Sequence, residues 1–517
     1  MASETANETT DDTTKIEESD KKEIEIPDEV TILKLNERQL KASKSITKFL
    51  ASNSPNFLLL GPGGSGKTTT IVNAFNDSKL SVAFCAFTNK ATQVLRTIAS
   101  KFNIKFKADF MTIHQLLELE IQFLGTEHEI RFKFDREKCI KLALFDVVIF
   151  DECSTISKDL YGFLIQARSY IEFKYHKKLH YIFLGDFWQL PPVNEMSSVV
   201  FTRSSEEKWG IKKLETVMRS NNDKIYQINQ DLLQVADLFR KKDKDALKSF
   251  VKKYPRNLVS EKKLYVSNTE DFVQKYLAAW KSIQDTVMLT YSRNNCKKIN
   301  HYVQDLLDRD ADRNVPPERL QLRTFYEGDR CCVDKPIEVL KIKQTNRSGK
   351  TIYSLDNAST GEMLYNGEIF DIMEVQNVLV STPLNSLSYI DSYFEGQILT
   401  VRRINCTEAH DIKIIHVDPV PFEAARYKAR SKISRIPYIE LMTRYVRYFP
   451  KLEYGYAITV YKSQGSEWHT VLVNCNSIKW SLIGKGYKAK FSKMKNLFRT
   501  TYTAVSRASN ELVMYWF

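Results

Sequence analysis

Residues 61–70 read GPGGSGKTTT, directly after the apolar run Phe57-Leu58-Leu59-Leu60, and this junction decides the fold. A run that suits a buried strand ends in a glycine-rich loop, and a helix opens near Lys67. Glycines at 61, 63, 64 and 66 let backbone N–H groups approach a phosphate chain without side-chain obstruction. Ser65 and Thr69 complete the cradle. Lys67 is placed to reach the β- and γ-phosphates, and the Thr68 hydroxyl to enter a Mg²⁺ shell. The chemistry is that of nucleoside triphosphate binding; an ordinary glycine-rich turn explains the spacing far less well.

The chain has 517 residues, enough for roughly three or four domains, and 43% of them are hydrophobic. Residues 1–30 differ from the rest. They hold eleven Asp/Glu against three Lys and no apolar periodicity, so a disordered acidic tail is expected. The formal charge of the chain is +13; the tail contributes −8, which leaves +21 on the remainder. A body that basic suits a polyanionic partner, nucleic acid first among them. Solubilising lysines are the plainer explanation. The eight cysteines form no CxxC pair, and Cys406, His410 and His416 lack a fourth ligand for a zinc site. With no signal peptide and no apolar run of membrane-spanning length, the expectation is a soluble intracellular protein without membrane contact.

Further β-rich runs at 81–87, 146–150 and 181–184 alternate with helical stretches, as a doubly covered parallel sheet requires. The second ends in Asp151-Glu152. Asp151 is placed to hold Mg²⁺ opposite Thr68, and Glu152 to deprotonate an attacking water. The third runs into GDFWQLPPV, 185–193, where Gln189 is a neutral group that can register the γ-phosphate and two prolines stiffen the exit.

GPGGSGKTTT, AFTNKAT (86–92), TIHQLL (112–117), DECS (151–154) and GDFWQLPPV, in this order, resemble superfamily 1 helicases. The likeness is greatest to the 5′-to-3′ branch of RecD, Dda and petite-integration-frequency helicases. The chain lacks the additional Phe-Gly-Gly signature of the last group, so a Dda- or RecD-like relative is expected. The resemblance implies that Gln39, in LNERQ, reads adenine. It implies that Thr88, Asn89, Lys90, Thr112 and His114 contact a single strand, although His114 also reads as a core histidine. Alternation around Gly125 predicts a β-hairpin within 118–134. In relatives such a hairpin is a strand-separating pin, which would put Phe123 and Leu124 at its tip; an ordinary surface hairpin fits nearly as well.

YAITVYKSQGSEW (456–468) and YTAVSRAS (502–509) resemble the family's fifth and sixth motifs. By that resemblance Arg507 is an arginine finger and Arg219, in LETVMRS, a second one. Gly465 and Glu467 would line the nucleotide, while Thr459, Ser463 and Asn294 would face the strand. Short β-type segments in 331–450 predict a small barrel inserted in the second lobe. The basic and tyrosine-rich run that ends it, 421–456, suits a single-strand path, as does the Lys-rich stretch 479–499 a flexible phosphate-gripping loop. Solvated surface explains both almost equally.

The expected fold is α/β: two RecA-like P-loop lobes, with a small β-hairpin pin in the first and a β-rich, SH3-like insertion in the second. The expected boundaries are 31–206 for the first lobe, 207–330 and 451–517 for the second, and 331–450 for the insertion. The resemblance implies an ATP- and Mg²⁺-dependent DNA helicase, active as a monomer on single-stranded and tailed duplex DNA. The acidic tail would dock loading or replication proteins. An RNA helicase of the same superfamily and a nucleotide-dependent clamp that does not unwind are the alternatives, and no motif marks replication, repair or recombination as the process served.

Overall fold

The fold follows from strands whose successive side chains feed two different cores. A computed structural model describes residues 35–515 apart from 124–129, 217–222, 246–249, 251–268, 310–324, 382–392, 405–409, 418–451, 484–490 and some shorter gaps. The acidic tail, Leu124, Arg219, Cys406 and most of the basic 421–456 run lie outside the described residues.

Strands β1 (Asn56–Leu60), β2 (Val82–Ala86), β3 (Ala108–Thr112), β6 (Val147–Phe150), β7 (His180–Gly185) and β8 (Gly210–Lys213) form one sheet in the order β3-β2-β6-β7-β1-β8. All its pairings are parallel. Phe57, Leu59, Phe84 and Ile149 enter a core shared with helices α1 (Glu37–Leu50), α2 (Lys67–Phe75) and α3 (Asn89–Lys101). Leu58, Cys85, Val148 and Phe183 face the opposite core, which includes α4 (Ile113–Leu116) and α5 (Lys158–Tyr175); Val200 of α6 (Val199–Glu206) joins it. Alternation within continuous apolar runs is what a sheet covered on both faces demands. Because β6, β7 and β1 are neighbours, the loops after them emerge side by side. Between α4 and β6, the antiparallel pair β4 (Glu120–Phe123) and β5 (Ile130–Lys133) forms the expected hairpin.

A second parallel sheet, in the order β17-β9-β18-β19, contains β9 (Thr286–Thr290), β17 (Ala457–Thr459), β18 (Trp468–Asn474) and β19 (Ala508–Tyr515). One face packs on α8 (Thr269–Ser282) and α9 (Arg293–Asp308). The other packs on α7 (Asp223–Arg240), α10 (Cys475–Ile483) and α11 (Phe491–Val505). Trp188 and Leu190 also belong to that second core, although they follow a strand of the first sheet. The two RecA-like lobes are thus joined by a loop of one plugged into the interior of the other.

Strands β10 (Arg330–Val333), β11 (Ile337–Arg347), β12 (Lys350–Leu364), β13 (Ile369–Val380), β14 (Phe394–Arg403), β15 (Asp411–Val417) and β16 (Leu452–Tyr454) form a third, mostly antiparallel sheet, the β-rich insertion. Its last strand follows position 450, because Cys331 and Cys332 pair with Tyr454 and Glu453. Arg330, 1% exposed, seats this sheet on the second lobe. Its Nε donates to Asp371 Oδ1 at 2.8 Å, its Nη1 to the Thr286 carbonyl at 2.7 Å, and its guanidinium lies 5.2 Å from the Trp280 ring centre. Among the described residues no helix is long and apolar enough to cross a membrane.

Trp188 is 3% exposed and meets Phe498 edge-on at 5.4 Å. Trp188→Ala is expected to lower stability by about 3–5 kcal/mol, the usual loss for truncating a buried aromatic. Urea denaturation measures it; a change below about 1 kcal/mol would remove this ring from the account of how the lobes are joined.

Candidate functional site

The glycine loop is bound into the sheet before any ligand is considered. The Gly61 N–H donates to the Gly185 carbonyl at 3.0 Å, tying the exit of β1 to the exit of β7. Gly64 and Gly66 have φ of 74° and 77°, the left-handed region that L side chains avoid. A methyl group on Gly66 would also collide with the Gln39 side-chain amide. Gln39 holds the loop from outside: Oε1 accepts from the Asn36 N–H at 2.9 Å as part of a capping box, and Nε2 donates to the Ser65 carbonyl at 3.2 Å. Gln39 is 5% exposed and is engaged with the loop itself. Lys67 opens α2 and folds back, its Nζ donating to the carbonyls of Gly61 at 2.9 Å and Pro62 at 3.0 Å. Thr68 and Thr69 follow in the first turn of α2, both partly exposed.

Beyond β6 the chain turns sharply at Glu152, which has φ 51°. This left-handed conformation costs a non-glycine residue about 1–3 kcal/mol and re-aims its side chain. The Glu152 N–H donates to Asp151 Oδ1 at 2.8 Å, which fixes the carboxylate at the strand end. Gln189 is 2% exposed, and its amide is assigned from its neighbours: with the nitrogen on Glu152 Oε2 at 2.5 Å and the oxygen accepting from Arg507 Nη2 at 3.1 Å, both contacts are satisfied. Arg507 is itself buried at the end of α11, with Nε donating to the Thr503 carbonyl at 3.1 Å and Nη1 to the Ser466 carbonyl at 3.2 Å. A Cβ on Gly63 would lie 3.9 Å from the end of the Gln189 side-chain amide and 3.8 Å from Ser506 Cβ. Phosphate loop, acidic pair, amide sensor and arginine therefore converge from both sheets. Asp186 accepts from the Tyr502 hydroxyl at 2.6 Å and from the Trp188 N–H at 2.9 Å; burial pushes its carboxyl pKa up, while nearby Lys67 pulls it down.

The residues expected along a strand are more dispersed. Thr88 caps α3, its hydroxyl accepting from the Ala91 N–H at 3.2 Å; the side chains of Asn89 and Lys90 lie outside the description. His114 sits between two half-exposed rings, Phe87 at 5.3 Å and Phe132 at 4.6 Å, and desolvation lowers its pKa, which favours the neutral ring. It is not a core histidine. Thr112 is buried and forms a capping box with Gln115. Asn294 is exposed in the first turn of α9. Backbone alone is described for Phe123, at the end of β4.

Three expectations need correction. Ser463 is fully buried and donates to the Val460 carbonyl at 2.7 Å, so its hydroxyl closes a turn and does not face a strand. Thr459 is likewise buried, its hydroxyl accepting from the Lys462 N–H at 3.2 Å. Gly465, expected beside the nucleotide, instead packs on α3: with φ 75°, its Cβ would lie 3.0 Å from Ala91 Cβ and 3.8 Å from Thr88 Oγ1. Half-buried Glu467 adjoins Ser466, whose carbonyl holds Arg507. Residues that the sequence did not single out include Asp186 and Tyr502, whose only signal was position inside a motif, and Gln464, which donates to the Leu190 carbonyl at 3.3 Å.

Residues 44–195 match the family model of the AAA domain. An uncharacterized protein of Acanthamoeba polyphaga mimivirus is 26% identical over 528 residues, spanning 92% of this chain and 99% of that one. Among solved structures, the Pif1 helicase of Candida albicans is 14% identical with a TM-score of 0.45, covering 94% of this chain and 95% of its own. A Pif1 helicase from Bacteroides, solved with ADP-AlF3 and single-stranded DNA, is 15% identical with a TM-score of 0.44, covering 94% and 93%.

Glu152→Gln should retain ATP binding while turnover falls by about 10²–10⁴-fold, the range for removing a general base. Gly66→Ala should abolish binding, through φ and through the Gln39 contact. Equilibrium binding of a fluorescent ATP analogue, run beside steady-state hydrolysis, separates the two; normal hydrolysis by either variant would take the site apart.

Proposed function

We propose that this chain is an ATP-driven DNA helicase that moves along single-stranded DNA from 5′ to 3′ and separates duplex strands. The observation that carries the reading is the link from Glu152 through Gln189 to Arg507, which crosses between two parallel sheets over a glycine-rich phosphate loop. A nucleotide switch needs one lobe. A motor needs a second lobe whose position depends on the γ-phosphate, and this link supplies the dependence.

Glu152 takes a proton from water as that water attacks the γ-phosphate. Lys67 exchanges the Gly61 and Pro62 carbonyls for phosphate oxygens, and Arg507 spreads positive charge over the transition state. Arg219 is assigned a second such role on its sequence match. Thr68 and Asp151 offer the hydroxyl and carboxylate oxygens that a hard cation prefers, so they suit Mg²⁺, which would neutralise charge between the β- and γ-phosphates. Loss of the phosphate frees Gln189, and the lobes part. Phe87, His114 and Phe132 give the strand a stacking platform on the first lobe, within a strongly basic body. Asn89, Lys90 and Asn294 would add polar contacts, the hairpin ending at Phe123 would part the duplex, and the acidic tail would receive a loading partner. A monomer suffices, because both lobes are in one chain. The Pif1 helicase crystallised with ADP-AlF3 and single-stranded DNA is a precedent for these ligands on a distantly similar protein.

Steady-state ATP hydrolysis should rise at least about 10-fold with a single-stranded DNA oligonucleotide, and less with the same sequence as RNA. Equal or greater stimulation by RNA would reassign the substrate. A 5′-tailed DNA duplex should be separated and a 3′-tailed one should not; hydrolysis without displacement from either would make the chain a clamp. Phe123→Ala should slow separation and spare hydrolysis, and unaltered separation would end the case for the pin.

A further inference from the structure

Helix α11 presents Lys495, Phe498, Arg499 and Tyr502 at i, i+3, i+4 and i+7, a single stripe that faces the loop after β7. Every member of the stripe touches that loop. Lys495 Nζ lies 5.1 Å from the Phe187 ring centre, Phe498 meets Trp188 edge-on, and Tyr502 donates to Asp186. Arg499 does the most. Its guanidinium lies 5.0 Å from the Phe187 ring centre and 6.0 Å from that of Trp188. One arm, Nη1, donates to the Met196 carbonyl at 2.6 Å, and the other, Nη2, to the Phe187 carbonyl at 3.1 Å. The side chain is 1% exposed, its Nε has no hydrogen-bond partner, and burial pushes its pKa down to about 10.

Packing alone does not account for an arginine here. An aliphatic side chain of similar length would fill the space without burying a charge or orphaning a donor. What only the planar fork provides is two donors at fixed separation, holding carbonyls nine residues apart in the loop that carries Gln189. The helix ends at Val505, and the turn directly after it carries Ser506 and Arg507. We infer that Arg499 is a positioning residue for ATP hydrolysis: it fixes the Gln189 loop to α11, so that the amide sensor and Arg507 approach the γ-phosphate as one body. The inference rests on the motor reading for the nucleotide's role, and no motif of the resemblance contains Arg499.

The test uses the full chain with Arg499→Lys, which keeps charge and loses the fork, and Arg499→Met, which keeps volume and loses both. Hydrolysis is measured against ATP concentration, with and without single-stranded DNA, beside binding of a fluorescent ATP analogue and thermal melting. The expected result is a kcat lowered about 10-fold or more in the Met variant and less in the Lys variant. The ATP dissociation constant should stay within about 2-fold and melting should change little. Wild-type kcat in the Met variant would overturn the inference, leaving Arg499 as packing. So would parallel losses of kcat, ATP binding and melting temperature, which mark a purely structural residue. If wild type hydrolyses ATP with no response to DNA, the motor reading fails by itself. The basal kcat then decides: a fall at unchanged ATP binding sustains the positioning role, and no fall overturns it.

Discussion

The architecture depends on where Trp188 is buried. The loop after β7 leaves the first sheet, yet Trp188 and Leu190 are enclosed by side chains of α7, α11 and the second sheet. Moving those two residues with the first lobe would expose large apolar surface, at about 25 cal/mol for each Å² uncovered. The loop therefore travels with the second lobe, and its connection back to β7 must bend. Gln189 lies between the two buried residues, so in the proposed motor the residue assigned to sense the γ-phosphate is held by the lobe that would respond to it. Communication between the lobes needs no long pathway, because sensor and responder share one hydrophobic core.

What was legible in the sequence is what local chemistry enforces. The run before Gly61, the left-handed glycines, and the acidic pair closing VVIF must be written as contiguous residues, because backbone geometry over four to ten positions sets phosphate and carboxylate positions. The strand runs at 81–87, 146–150 and 181–184 were visible because a doubly covered sheet needs continuous apolar segments. Tertiary choices were less visible. The hydroxyls of Ser463, Thr459 and Thr112 have the chemistry of strand contacts, but the chain uses them to close turns and cap helices. The same donor and acceptor serve either purpose, and only burial separates the two. Arg499 read as one more cation in a lysine-rich stretch, since nothing local marks a guanidinium that will be enclosed by a loop three hundred residues earlier.

The β-rich insertion packs on the second lobe, and one buried arginine shows how. Arg330 on β10 reaches Asp371 in its own sheet and the Thr286 carbonyl at the start of β9, and its guanidinium rests on Trp280 of α8. Asp329, next to it, accepts from the Tyr456 hydroxyl at 3.0 Å just before β17. Separating the sheet from the lobe would break the bond to the Thr286 carbonyl and the contact with Trp280 while leaving the Arg330–Asp371 pair intact, so the guanidinium would lose part of its built setting. The insertion thus packs directly on the second lobe, which meets the first lobe through Trp188 and, at the Gly465 turn, through α3. Gln464, beside Gly465, donates to the Leu190 carbonyl at 3.3 Å, so the two contacts adjoin. In the proposed motor, a shift of the Gln189 loop would pass through this bond to the Gly465 turn, which packs on Ala91 where a φ of 75° and the lack of a Cβ allow close approach. On that proposal, a small displacement at Gln189 would change the fit beside Thr88, on the face where Phe87 and His114 present their rings.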